Sequence, residues 1–388
     1  MSRIAVQFGA GNIGRGFLAQ LFHESGLEVV FVDVQRPMID ALNTRNEYTI
    51  HIVGEGAQDI LIDNVRAIDG QSVDAVAAEI ANAEIVCTAV GVNALKYTAP
   101  AIALGLIERQ KTSAAPLNIL LCENLHNAAE VLREAVAARI PDGMRECCLL
   151  NTGFVQTVVG RMVPLPTPEE TQADLLAVRV EAYKHLPVDA EAWVGAATDY
   201  VGIERVSPFQ AYVDRKLFAH NCAHAVLGYL GYARGLEYGY QALHVAEIKE
   251  TLQAVLAETS EALVRKHGID RTALADHIAD LLERFNNRDL GDTCRRLARD
   301  PLRKLAPGDR VMGAVRCCEA QGVQPVALAT ALAAGLRYND TGDPSAMEVQ
   351  RLLSQQGLDE TLRIVCGITP DEPFASLVKS ALVAGGSS

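Results

Sequence analysis

Lys216, Asn221 and His224 stand close together in the stretch Asp214–His224, which reads DRKLFAHNCAH. A helical pattern continues from it through Ala225, Val226, Leu227 and Leu230. At roughly 100° per residue, Lys216, His224 and Asn221 fall near 0°, 80° and 140° on an α-helix. Three polar groups of different chemistry therefore share one side of an otherwise apolar helix. A lysine can take or return a proton, an amide can steady an oxyanion, and an imidazole can orient a hydroxyl. A solvated helix face carrying one core histidine has the same spacing, so these residues need a second signal. His220 and His224 lie four apart, a spacing that can hold a metal ion on one helix face. The glutamate of an H-E-x-x-H motif is missing and no third ligand is evident, so we expect chemistry without a metal.

The second signal is at the start of the chain. Arg3–Phe8 reads as a buried first strand, followed by Gly9-Ala10-Gly11-Asn12-Ile13-Gly14 and a helical pattern at Phe17, Leu18, Leu21 and Phe22. This is G-x-G-x-x-G between a strand and a helix. The first glycine permits the tight turn, the second lets backbone approach a pyrophosphate, and the third lets helix and strand pack closely. A second strand, Val29–Val32, ends in Asp33, where an acid meets the adenosine ribose. A carboxylate there repels a 2′-phosphate, so NAD is favoured over NADP, with Arg36 nearby as a counterweight. Glu84–Val90 reads as a further parallel strand whose end, Ala89-Val90-Gly91, suits a loop lying against the cofactor. Leu117–Cys122 is another, with Asn124 just beyond it in the expected ligand crevice. Asn124 could equally cap the helix that starts near Asn127.

The remaining elements must position these groups. Tyr48–Val53 looks like one more strand of the core. Val73–Ile80 and Pro100–Glu108 read as helices, Cys148–Val163 as a strand-like core, and Leu175–Tyr183 as an antiparallel strand. From about Pro208 the periodicity is helical: Ala211–Ala233, Leu243–His267, Thr272–Phe285, Arg310–Gln321, Val326–Leu336 and Ala346–Gln355. Gly268 and Gly322 sit where C-terminal helix glycines belong. The fold class expected is α/β, with a doubly wound Rossmann-type domain at 1–200 and extra strands, then a mainly helical substrate domain at 201–388. Substrate would meet the nicotinamide in a cleft between them.

Bulk properties narrow the partners. The chain has 388 residues, 49% hydrophobic and 21% charged, with a net charge of −13. That charge argues against nucleic acid and anionic membranes. No apolar run approaches the roughly 20 residues that span a bilayer, and no secretory signal is evident. The nine cysteines are scattered, with two adjacent pairs and no C-x-x-C. We read them as reduced thiols in the cytoplasm.

GAGNIGRGF (Gly9–Phe17), TAVG (Thr88–Gly91), CEN (Cys122–Asn124), RKLFxxNxxHA (Arg215–Ala225) and PLRKLxxGDR (Pro301–Arg310) together carry a resemblance. From Ile4 to about Pro344 the chain resembles the polyol-specific long-chain dehydrogenases, the mannitol dehydrogenase family. The resemblance implies metal-independent, NAD-dependent interconversion of D-mannitol 1-phosphate and D-fructose 6-phosphate. It makes Lys216 the base, lets Asn221 and Asn124 flank the reacting oxygen, and gives His224 a neighbouring hydroxyl. The alternatives are a dehydrogenase of an unphosphorylated polyol or hexuronate, and an NAD-binding regulatory protein. A sugar phosphate needs cationic forks, for which Arg215, Arg303, Lys304 and Arg310 are candidates. Where the family has an acid–arginine pair before Val-Pro, this chain has Gly160 in the acid's place and retains Arg161. Monomer and dimer both remain open.

Overall fold

The computed structural model describes residues 3–112, 115–196 and 198–384; the Gly-Gly-Ser-Ser tail lies outside them. Strand β1 (Ile4–Phe8) sends Ala5 to one buried cluster and Val6 and Phe8 to another. β2 (Glu28–Asp33) does the same, with Val29 and Phe31 opposite Val30 and Val32. Successive side chains of a strand face opposite ways, so two buried faces require cover on both sides, the mark of a doubly wound sheet. With β3 (Tyr48–Ile52), β4 (Gln58–Ile62), β5 (Val65–Asp69), β6 (Ile85–Thr88), β7 (Leu117–Leu121) and β8 (Thr152–Gln156), the strands needed are in place. The main sheet is parallel and runs β5-β2-β1-β6-β7-β8. Its order reverses between β1 and β6, which defines the ligand crevice beyond their carboxyl ends.

Several expected elements move. Tyr48–Ile52 is a strand but not of the main sheet; it pairs with β4 and with β9 (Val178–Val180) in a separate three-stranded sheet. The β9 pairing is parallel, not antiparallel, because β9 runs alongside β3 as Ile50↔Val178. Cys148 lies inside a helix, Asp142–Leu150, and only Thr152–Gln156 of that region is strand. Two short strands, β10 (Leu186–Asp189) and β11 (Ile203–Val206), form a parallel pair.

The small sheet braces the glycine-rich turn. Tyr48, fully buried, donates its hydroxyl to the Arg15 carbonyl at 2.7 Å. A Cβ on Gly16 would come within 2.9 Å of Val178 and Val180, so only glycine lets this turn lie on β9. Buried Arg161 donates to Gln20 Oε1 at 2.6 Å and to the carbonyls of Gly16 and Glu181 at 3.0 and 2.8 Å. A Cβ on Gly160 would meet the Tyr183 ring at 3.2 Å, so that ring lies where a side chain at 160 would start.

The chain divides into Met1–Phe209 and Gln210–Ser388. The second unit is helical among the described residues, with helices at Cys222–Ala233, Ala246–His267, Arg271–Phe285, Met312–Ala320, Val326–Arg337, Pro344–Thr361 and Pro373–Ala384. The last was not legible in the sequence pattern. Gly268 closes Ala246–His267 in the left-handed conformation at φ 66°, as its position predicts. Close approach organises the centre: a Cβ on Gly228 would lie 2.6 Å from Ala298 N, and one on Gly231 2.5 Å from Cys294 Sγ. No described helix is long and apolar enough to cross a membrane.

Candidate active site

In the first unit the turn after β1 is built tightly. A Cβ on Gly9 (φ 91°) would lie 2.5 Å from the Ala89 carbonyl, and one on Gly14 2.0 Å from the Gly9 carbonyl. A Cβ on Gly11 would meet nothing within 4 Å, so the middle of the turn faces open space where a pyrophosphate can approach backbone. From below, buried Arg15 donates Nε to the Ala10 carbonyl at 2.6 Å. Gln7 Nε2 donates to the Phe8 carbonyl at 2.7 Å. Asn12 and Ile13 open the helix that follows, and the helix winds as a π-turn over Gly14–Leu18.

Asp33 ends β2 beside this turn. One carboxylate oxygen accepts from Ala10 N–H at 2.7 Å; the other accepts from Val34 and Gln35 N–H at 2.7 and 2.9 Å. Across the crevice stands Glu123, the acid of the CEN motif, just beyond β7 as its position predicts. It is buried and accepts from Thr88 Oγ1 at 2.7 Å and Val90 N–H at 3.1 Å, which pins Ala89-Val90-Gly91 to the end of β7. Burial raises its pKa, against those two hydrogen bonds. Gly91 has φ 86°. Asn124 is exposed. It does not cap the next helix, since Asn127 occupies that position. These residues fit a dinucleotide: a glycine turn open at its middle, an acid at the end of β2, and a pinned loop after β6.

In the second unit the helix carrying Lys216 is not uniformly α. Arg215–Asn221 winds as a π-turn, with Cys222 N–H bonded back to Leu217 O. Bonds that span five residues bring residues five apart close to alignment. Lys216 and Asn221 are five apart, and Asn221 and His224 are three apart on the α-helical continuation. The π-turn thus gathers into one stripe three groups that an α-helix spreads over some 140°. π-turns are rare and recur at functional sites. All three residues are half-buried.

His224 is held on two sides. Its ring stacks on Phe285 with centroids 3.9 Å apart at 20°, and meets His220 edge-on at 5.2 Å. Burial pushes its pKa well below the ordinary value, helped by Arg296, Lys304, Arg284 and Arg310. His220 is lowered likewise by burial, then by His224, Arg284 and Lys216. Burial with Arg215 and Arg284 pushes His277 down to about 3. The imidazoles here act as neutral hydrogen-bonding groups, not as cations. Among the described residues no set of three or more His, Cys, Asp or Glu is arranged to hold a metal ion.

The four candidate phosphate ligands sit in different surroundings. Arg303 is half-exposed and bonded to Asp300 at 2.7 Å, with Asp309 at 3.5 Å. Arg310 is nearly buried and bonded to Asp309 at 2.7 Å. Lys304 is buried and donates to the Leu297 carbonyl; burial and neighbouring arginines push it down to about 7. Arg215 lies over the Tyr212 ring at 4.7 Å. Glu123 belongs to the CEN motif but had no role assigned to it, and neither Phe285 nor the winding of Arg215–Asn221 carried a motif signal.

Comparison with known proteins adds to this geometry. Residues 3–199 match the mannitol dehydrogenase Rossmann domain and residues 208–381 the mannitol dehydrogenase C-terminal domain. The chain is 37% identical over 380 residues to mannitol-1-phosphate 5-dehydrogenase of Bacillus subtilis (strain 168), covering 98% of this chain and 99% of that one. It is 39% identical over 378 residues to the protein of that name from Pseudarthrobacter chlorophenolicus, covering 97% and 96%. The solved Pseudomonas fluorescens mannitol 2-dehydrogenase, a ternary complex with NAD and D-mannitol, superposes with a TM-score of 0.75 at 17% identity, covering 99% and 92%. A substrate-free D-sorbitol dehydrogenase gives 0.79 at 16%, with the same coverage. At such identities the two structures speak for the fold alone.

Proposed function

We propose, because the chain belongs to the mannitol dehydrogenase family, that it is an NAD-dependent oxidoreductase interconverting D-mannitol 1-phosphate and D-fructose 6-phosphate. The full-length kinship to proteins named for that reaction supports the phosphorylated substrate over free mannitol. The observation that supports this chemistry is the π-turn over Arg215–Asn221, whose winding favours Lys216, Asn221 and His224 on one side of the helix.

NAD, when bound, accepts a hydride from the carbinol carbon. We assign Gly9, Ala10, Gly11, Asn12, Ile13 and Gly14 to its pyrophosphate, Asp33 to its ribose, and Ala89, Val90 and Gly91 to its nicotinamide side. Lys216 takes the hydroxyl proton in oxidation and returns it in reduction. Asn221 and Asn124 donate amide N–H groups to the oxygen as its charge grows, without competing for its proton. Neutral His224 holds an adjacent hydroxyl. Arg215, Arg303, Lys304 and Arg310 remain the candidates for the phosphate, and Lys304 and Arg310 are the two of them whose charge bears on His224. Arg303 already serves two carboxylates. The nine free cysteines support a reducing, cytoplasmic setting.

The test is NAD reduction with D-mannitol 1-phosphate and with D-mannitol. Rapid NADH formation with the first alone supports this function. A preference for D-mannitol or a hexuronate-derived alcohol would move the chain to the unphosphorylated branch, and no turnover with any polyol would leave a regulatory role.

A further inference from the structure

We propose that Asp292 is a positioning residue that fixes the tautomer of His224, turning Nε2–H inward and leaving Nδ1 as an acceptor for a substrate hydroxyl. The proposal rests on the reading of His224 as a substrate contact. Asp292 begins the segment that carries the Cys294–Ala298 helix. Its backbone is fixed: Gly239 N–H bonds to its carbonyl at 2.8 Å, and Thr293 bridges Tyr238. Its Oδ1 accepts from Arg296, one turn on. Its Oδ2 is buried and has no hydrogen-bond partner among the described residues. His224 Nε2 lies 3.9 Å from that oxygen.

The ring of His224 has little freedom to turn away, since Phe285 stacks on its face and His220 abuts it. A neutral imidazole has one N–H and one lone pair. The groups facing it electrostatically are His220, Arg284, Arg296, Lys304 and Arg310, so no cation is needed from the ring itself. A buried carboxylate oxygen lacking a donor favours the tautomer that supplies one. At 3.9 Å the pair is longer than a hydrogen bond, and such contacts tighten when substrate fills the site. The consequence is directional: His224 accepts a hydroxyl proton and does not donate to a carbonyl.

The test uses full-length enzyme labelled with [15N]histidine, saturated with NADH. Two-bond 1H–15N correlation distinguishes the Nε2–H and Nδ1–H tautomers, and loss of one pattern in His224→Gln assigns it. The wild type should show Nε2–H. In Asp292→Asn an amide N–H can donate to Nε2, so the pattern should shift towards Nδ1–H. kcat/KM should then fall roughly tenfold to a hundredfold, as for other orienting partners of histidine, with the NADH dissociation constant unchanged. Asp292→Glu, which keeps a carboxylate, should restore the Nε2–H pattern. An Nδ1–H wild type overturns the proposal even if neither Asp292 variant folds, and so does an unaltered tautomer in Asp292→Asn. A tautomer that moves with kcat/KM unchanged upholds the Asp292–His224 coupling but overturns the role of His224 at the substrate.

Discussion

Asp33→Ala should change which dinucleotide the enzyme uses, and the structure sets the size of the effect. An ionised carboxylate offers about four acceptor sites. Three are taken by the N–H groups of Ala10, Val34 and Gln35. About one site remains for a ribose hydroxyl. A hydrogen bond to a charged group contributes about 1.5–3 kcal/mol, so its loss should weaken NAD about 10- to 150-fold. Removing the carboxylate also removes its repulsion of a 2′-phosphate. Arg36, whose side chain is 71% exposed and 3.0 Å from Asp40, is then the nearest cation in sequence to meet that phosphate. The ratio of kcat/KM for NAD to that for NADP should therefore fall by more than the loss in NAD alone. Both constants are measured at saturating D-mannitol 1-phosphate, with NADH affinity followed by fluorescence. Because the Ala10 bond is also lost, thermal unfolding must be recorded beside them. An unchanged NAD-to-NADP ratio in a folded variant would refute the assignment.

Lys216→Ala should lower kcat roughly a hundredfold to ten-thousandfold, with NADH binding near normal and the rise of the oxidation rate with pH abolished. If KM alone rises and the pH dependence survives, Lys216 binds phosphate instead. Prolonged treatment with a chelator should leave activity intact, and an activity that is lost and then restored by zinc would revive the His220/His224 pair as ligands. Lys304 supplies a pH test of the fold. Its pKa is about 7 in the folded chain against 10.5 when unfolded, so between those values the unfolded chain binds more protons. Stability should therefore rise with pH across that window, by at most about 1.4 kcal/mol per pH unit from this group. Lys304→Met should lose that part of the rise in thermal unfolding between pH 7 and 9, and an identical pH dependence in both proteins would sink the assignment.

The legible parts of this chain are those with local causes. Gly9, Gly11 and Gly14 announce a turn because each is needed for a steric reason within a few residues, and Asp33 follows from the strand that precedes it. The illegible parts have distant causes. Tyr48–Ile52 alternates like any strand, and only its pairing with Val178–Val180 assigns it to the small sheet. Leu175–Tyr183 alternates as half-buried antiparallel strands commonly do, and only its pairing with β3 shows that it runs parallel. Phe285 lies 61 positions from His224, and Asp292 68 positions, so nothing near the motif could point to either. The Pro373–Ala384 helix was missed beyond the reach of the resemblance.

The π-turn at Arg215–Asn221 is the least legible feature and the one the stripe depends on, which makes it open to a paired test. A π-turn amounts to one residue inserted into an α-helix. Deleting Ala219, inside the turn, should let the segment close as α-helix while both flanks keep their facing. Lys216 and Asn221 then become four apart, still neighbours on one face. Deleting Ala223, in the α-helical part between Asn221 and His224, has no such slack to absorb it. It should rotate the flanks by about 100° relative to each other and separate His224 from the other two. Both alanines are fully buried, so the two deletions remove similar packing. The first variant should keep measurable turnover, and the second should fall by roughly ten-thousandfold. Circular dichroism and thermal unfolding identify folded variants. Two folded variants equally inactive would show that the stripe is not what the π-turn preserves, and that the alignment of Lys216 with Asn221 is incidental to the reaction.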